Sequence, residues 1–442
     1  MIAVLAHALV QREDIPLPPV VFAWSAAAVL VISFVGLAAL WPQPRLEANR
    51  WRPVWRVPGA LDAAAGAVGV ALLAVVIWAG FAGEQNATAN IAPTLVYVIV
   101  WVGMAFASLL FGDLFRAVNP WRALGRLLRL RGTRPYPERL GRWPAALGLL
   151  FFTWTELVAG YGNEPDHLAV CAVLYTLVTL GAMAVYGTET WVTRGEAFGV
   201  YFGLFARLSV LEVRDGRLGR RPLLGGLPHL EPMAGTVALV AVMIGTVTFD
   251  GLLQGSVWRT GVGKALNDLF DGPFGASTAT YIAGTIGLIG APLLIAGFYR
   301  FGIAGAESVG GGLTAERLRG AFLHSLVPIA LVYVMAHYLS FLVFQGQGIY
   351  YLASDPLGHG WNLFGTANSA IDYGLLSQNA AWYLQVGFVV LGHVAGLVLA
   401  HDRALVLYED PRAAVRSQYW MLSIMVGFTS LALWLLSQAN PS

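Results

Sequence analysis

Six ionisable side chains stand inside apolar runs of this 442-residue chain. They are Glu156 in FTWTELVAG, Asp250 in TVTFDGLLQ, His324 and His337 at the two ends of HSLVPIALVYVMAH, and His393 and His401 in GHVAGLVLAH. Such groups are costly in hydrocarbon, so their presence there reads as functional by default. Imidazoles together with carboxylates form the donor sets of transition-metal centres, both hydrolytic zinc sites and non-haem iron sites. The same groups serve proton or ion pathways. Each can also be satisfied singly, by a backbone carbonyl, a hydroxyl or an arginine.

Placing these groups requires the elements that carry them. The chain is 57% hydrophobic and 12% charged, against about a quarter charged in soluble domains, which is the composition of an integral membrane protein. Its formal net charge is +2 and Lys264 is its only lysine, a balance that gives no case for nucleic-acid binding. The single cysteine, Cys171, excludes an intramolecular disulfide and a multi-cysteine metal site.

A span needs roughly 20 apolar residues. Ten runs meet or approach that length: 19–41, 59–83, 90–112, 143–160, 167–187, 234–254, 279–305, 318–345, 380–405 and 418–438. Residues 196–211, EAFGVYFGLFARLSVL, are too short and read as an interfacial or re-entrant helix. The expected fold is therefore all-α: a polytopic transmembrane helical bundle of about ten spanning helices plus that short element, in a single membrane domain.

Arginines set the expected orientation. Arg45, Arg50, Arg52 and Arg56 follow the first span, eight arginines from Arg116 to Arg142 follow the third, and six lie between Arg194 and Arg221. The positive-inside rule puts these segments in the cytoplasm and both termini outside. The run NPWRALGRLLRLRGTR, amphipathic on a helical period, suits anionic headgroups of the bilayer.

Counting about 1.5 Å per residue from the cytoplasmic end gives depths of roughly 28 Å for His337, 24 Å for Asp250, 20 Å for Glu156 and 18 Å for His393. His324 and His401 stand only about 6–9 Å up. The outer four have the composition of an intramembrane metal site for a divalent transition metal, with Zn, Mn, Fe and Cu not distinguished. An outside loop adds Asp355, His359 and Asp372, with Trp361 beside them. The inner pair, His324 and His401, are candidate haem ligands. Two stacked haems fit poorly, since His324 and His337 are about 140° apart around their helix and His393 and His401 about 80°. His7, His167 and His229 read as terminal, interfacial and loop residues.

The succession WPQPRLE, FGDLFRAVNPWRAL, GEAFGVYFGLFAR, TVTFDG, HSLVPIALVYVMAHYLSFLVFQGQ, DPLGHGWNLFGTA and GHVAGLVLAHDRAL resembles a family of bacterial, mostly actinobacterial, polytopic membrane proteins labelled fenitrothion hydrolase-like. The resemblance runs from about residue 5 to the end. It implies metal-assisted hydrolysis of a small apolar, organophosphate-like ester. His337 and His393 would then be first-choice ligands, Asp250 a third, and Glu156 a fourth ligand or the general base. Two other classes remain open: a proton- or metal-ion transporter, and a haem- or metal-bearing electron-transfer subunit with partner membrane subunits.

Overall fold

A computed structural model describes residues 19–48, 50–310 and 312–438. His7 lies outside the described residues. The chain is about 70% helical with very little strand. Seven helices among the described residues are long and apolar enough to cross a membrane: Gly59–Ala82, Ile91–Phe111, Pro165–Tyr186, Thr236–Gln254, Ala276–Glu307, Ala315–Gln345 and Gln378–Leu407. This is a multi-pass, all-α architecture. Length and composition support seven of the ten expected spans. Pro19–Leu40, Trp143–Leu157 and Pro411–Gln438 are helical but fall outside that set. Trp143–Leu157, at 15 residues, reaches only about 22 Å at 1.5 Å per residue.

Two compact units divide the chain. One comprises Arg52–Arg220 and Tyr338–Ser377; the other comprises the described residues up to Trp51, Arg221–His337 and those from Gln378 onward.

In the first unit, a three-stranded antiparallel sheet joins β1 (Arg52–Arg56), β2 (Leu211–Arg214) and β3 (Arg217–Arg220) in the order β1-β3-β2. Arg52 pairs with Arg220 and Arg56 with Arg217. Two arginine-rich segments far apart in sequence thus meet at one place. Three further arginines cluster around two acids. Arg122 reaches Asp62 at 3.0 Å and Glu189 at 3.1 Å, and Arg116 and Arg126 also bond Glu189. Arg122 and Arg126 of the basic run are therefore engaged by the chain's own carboxylates.

The segment expected to be interfacial or re-entrant contains a ten-residue helix, Ala197–Ala206, seven of whose residues are buried. A helix apolar on every side packs inside its unit. Its start is fixed by Glu196, which is fully buried. The Glu196 carboxylate accepts from the backbone of Phe198 and Gly199, from Tyr175 at 2.6 Å and from Asn119 at 2.9 Å. A side-chain acceptor at the N-cap satisfies donors that have no partner within the helix.

In the second unit, Thr236–Gln254 packs along Ala276–Glu307, while Pro411–Gln438 packs on Gln378–Leu407, Pro19–Leu40 and Ala276–Glu307. The helix Ala315–Gln345 is broken by a 3-10 turn over Leu323–Leu326. Pro328 accounts for the break: its ring crowds the carbonyl four residues earlier, that of His324, and it donates no backbone hydrogen.

Candidate functional site

Asp250 and His337 come together within the second unit. Helix Thr236–Gln254 is apolar and buried along most of its length and carries Asp250 one turn before its end. His337 lies ten residues into Val327–Gln345. Asp250 Oδ2 and His337 Nε2 are 2.9 Å apart, with the two residues 2% and 8% exposed. Gly251 leaves room beside the ring: a Cβ there would have the imidazole at 3.7 Å as its nearest neighbour. A proton between Oδ2 and Nε2 makes this contact a hydrogen bond, and a metal ion in its place would be held by the same two atoms.

His393 is fully buried, and its Nδ1 donates to the carbonyl of Val389, one turn back on its own helix, at 2.7 Å. Its Nε2 therefore carries the lone pair, and that atom has no hydrogen-bond partner. A backbone carbonyl on one ring nitrogen and a lone pair on the other is the arrangement that orients metal-ligating imidazoles. The ring of Tyr333 stands 6.2 Å away. Tyr333 also lines an apolar cavity of about 40 Å³ with Tyr299, Met421, Met425 and Phe428.

The two inner histidines are held by the protein itself. His401 Nδ1 faces Gln418 Oε1 at 3.2 Å, and Nε2 faces the Trp41 carbonyl at 3.0 Å. The Gln418 amide is oriented by its other end, which donates to the Ala414 carbonyl. Iron ligation by His401 would require one of these contacts to break. Next to it, the buried Asp402 accepts from Trp41 Nε1 and from the backbone of Arg45 and Leu46. His324 is buried and bonds backbone at Ala321 and Leu399.

Glu156 belongs to the first unit, half-buried near the end of Trp143–Leu157 and within electrostatic reach of the Tyr97 and Tyr201 phenols.

Of the four outer residues, Asp250, His337 and His393 belong to the second unit and Glu156 to the first. Among the described residues, the group of three or more metal-ligating side chains whose donor atoms lie mutually within 4.8 Å is Glu164, Asp166 and His167. All three are exposed, at the head of Pro165–Tyr186, and His167 Nδ1 is 2.9 Å from Glu164 and 3.0 Å from Asp166. Depth along a helix does not fix rotation about it, and His393 turns one nitrogen back onto its own helix. The acids of the outer loop serve turns: Asp355 accepts from the backbone of His359 and Gly360, and Asp372 from that of Gly374. Asp402, Gln418 and the Asp62–Arg122–Glu189 cluster were not singled out in the sequence. Asp402 had a signal there, as an acid directly after a buried histidine in AHDRAL.

Comparison with family models, curated proteins and solved structures gives no match to this chain.

Proposed function

We propose that this multi-pass membrane protein is a hydrolase of small apolar esters, built on an intramembrane metal site that has Asp250 and His337 at its core. The observation that carries the reading is the buried 2.9 Å approach of Asp250 Oδ2 to His337 Nε2. Donor atoms about 2.0–2.1 Å from one metal ion and at right angles to each other are about 2.9 Å apart; tetrahedral donors stand at about 3.3 Å. The separation thus suits two adjacent ligands. His393, with its Nε2 lone pair buried and unpartnered, is the third donor, brought in by a rotation of its ring or helix. A divalent metal there would supply Lewis acidity and lower the pKa of water. The buried surroundings exclude bulk water. Orientation with both termini outside a bacterial inner membrane belongs to the same proposal, as does the fenitrothion hydrolase-like resemblance.

One observation favours a second reading, a proton pathway: Asp250 and His337 already bond one another, as a proton-carrying couple would. Metal content separates the two. Metal in the wild type that is lost in His337→Ala supports the hydrolase, and metal-free protein that carries protons across liposomes supports the pathway. Haem bound at His324 and His401 would announce itself as a strong absorption band in the visible.

A further inference from the structure

The first unit holds a second arrangement that the Asp250–His337 reading does not use. Thr94–Gly103, in the middle of the apolar helix Ile91–Phe111, is wound as ten residues of π-helix. Such windings are rare and concentrate at functional sites. This segment carries Tyr97 and Trp101, one turn apart. Trp101 stacks on Tyr201 of helix Ala197–Ala206, with ring centroids 4.7 Å apart and planes within 16°. Trp101 is 2% exposed and Tyr201 is fully buried.

Both rings of this stack carry a donor, and neither donor is met: Trp101 Nε1 and the Tyr201 hydroxyl have no hydrogen-bond partner. Native interiors leave few such groups, and each one is destabilising. Packing alone does not call for them. The surrounding rings are phenylalanines, at 152, 198, 202 and 205, and phenylalanine would stack equally well at 101 and 201. Tyr97, by contrast, is satisfied through the Gly162 carbonyl at 2.7 Å. The unmet donors therefore lie at one ring pair inside an otherwise apolar aromatic cluster.

We infer that Trp101 and Tyr201 form a binding site for a small, uncharged, apolar molecule with a single acceptor oxygen, a carbonyl or phosphoryl group, which takes their N–H and O–H. A neutral molecule suits this lining, because burying a charge among aromatic rings is costly. Phe152 and Glu156 stand one turn apart on Trp143–Leu157 and are both half-buried. Phe152 packs on Trp101 at 4.9 Å and on Tyr97 at 5.7 Å, so it is the side chain that must move to admit the ligand. The site stands independently of the metal reading.

Benzophenone is a suitable probe, being flat-ringed and uncharged, with one carbonyl and its own photochemistry. Full-length protein in detergent is equilibrated with benzophenone, irradiated and mapped by peptide mass spectrometry. Saturable labelling is expected within 94–111 and 197–206. It should be weakened about fivefold in Trp101→Phe and in Tyr201→Phe, which keep the ring and lose the donor. Diphenylmethane, the same shape without the oxygen, should compete poorly. Both variants should melt at or above the wild-type temperature, since each removes an unmet buried donor. Labelling elsewhere, equal competition by diphenylmethane, or unchanged labelling in both variants overturns the inference. Should either variant fail to fold, the diphenylmethane comparison on the wild type still decides.

Discussion

Asp250 Oδ2 lies 2.9 Å from His337 Nε2, and the two helices that bring them together bury both residues. Removing the carboxylate takes away a charge-assisted partner in a low-dielectric site, at a cost of about 1–3 kcal/mol. Asp250→Ala should therefore melt measurably below the wild type, and Asp250→Asn, which keeps a hydrogen-bonding group, should lie between. Equal melting temperatures for all three would show that the pair does not stabilise the fold.

A separate expectation concerns the arginine cluster of the first unit. Burial pushes the Glu189 carboxyl up, but Arg122, Arg116 and Arg126 outweigh it and hold the group below its ordinary value of 4.5. Because the folded-state value is the lower one, the stabilisation is complete above the unfolded value and is lost as pH falls through the folded one. Melting temperature should fall as pH drops below about 4.5, and Glu189→Gln should flatten part of that fall. A variant profile parallel to the wild type would remove Glu189 from the account.

Close helix packing in the second unit can be probed at one glycine. An added Cβ at Gly245 would stand 2.5 Å from the backbone nitrogen of Pro292, whereas one at Gly290 meets nothing within 4 Å. Gly245→Ala should cost about 1–3 kcal/mol by forcing helices 236–254 and 276–307 apart. Gly290→Ala should be neutral or gain about 0.5–1 kcal/mol. Thermal unfolding of both variants tests this, and a harmless Gly245→Ala would mean that the two helices pack less closely than 2.5 Å implies.

These particulars also show how far the sequence could be read. Long apolar runs give the helices, because hydropathy and length are local properties of the chain. Crossing depends on helix length as well as on hydropathy, and Trp143–Leu157 is a helix of 15 residues. Depth counting put Asp250 and His337 at similar heights, and the structure joins them; a one-dimensional ruler contains that much. Which way His393 faces depends on a side-chain rotation toward Val389, and no spacing encodes it. The sheet formed by β1, β2 and β3 was not foreseen either: its strands are short, polar and more than 150 residues apart in the case of β1 and β3, and strand pairing across such a separation leaves no periodic signal. The unmet donors of Trp101 and Tyr201 are equally invisible in a chain rich in aromatic residues.

Near the C-terminal end of helix Gln378–Leu407, Asp402 accepts three donors from the segment 41–46. Asp402→Ala would leave those donors unmet in a buried place and should loosen the segment at a cost of about 1–3 kcal/mol. The readout is limited proteolysis around residues 41–58, compared with Asp410→Ala, which removes only an exposed helix cap. Identical cleavage rates in the two variants would contradict the anchoring role of Asp402.

The most direct test of the central claim is elemental analysis, with an absorption spectrum, of detergent-purified wild type, Asp250→Asn, His337→Ala and His324→Ala. The account predicts about one equivalent of a divalent transition metal in the wild type, well below that in Asp250→Asn and His337→Ala, and full retention in His324→Ala. Metal-free wild-type protein, or unchanged metal in His337→Ala, would contradict it.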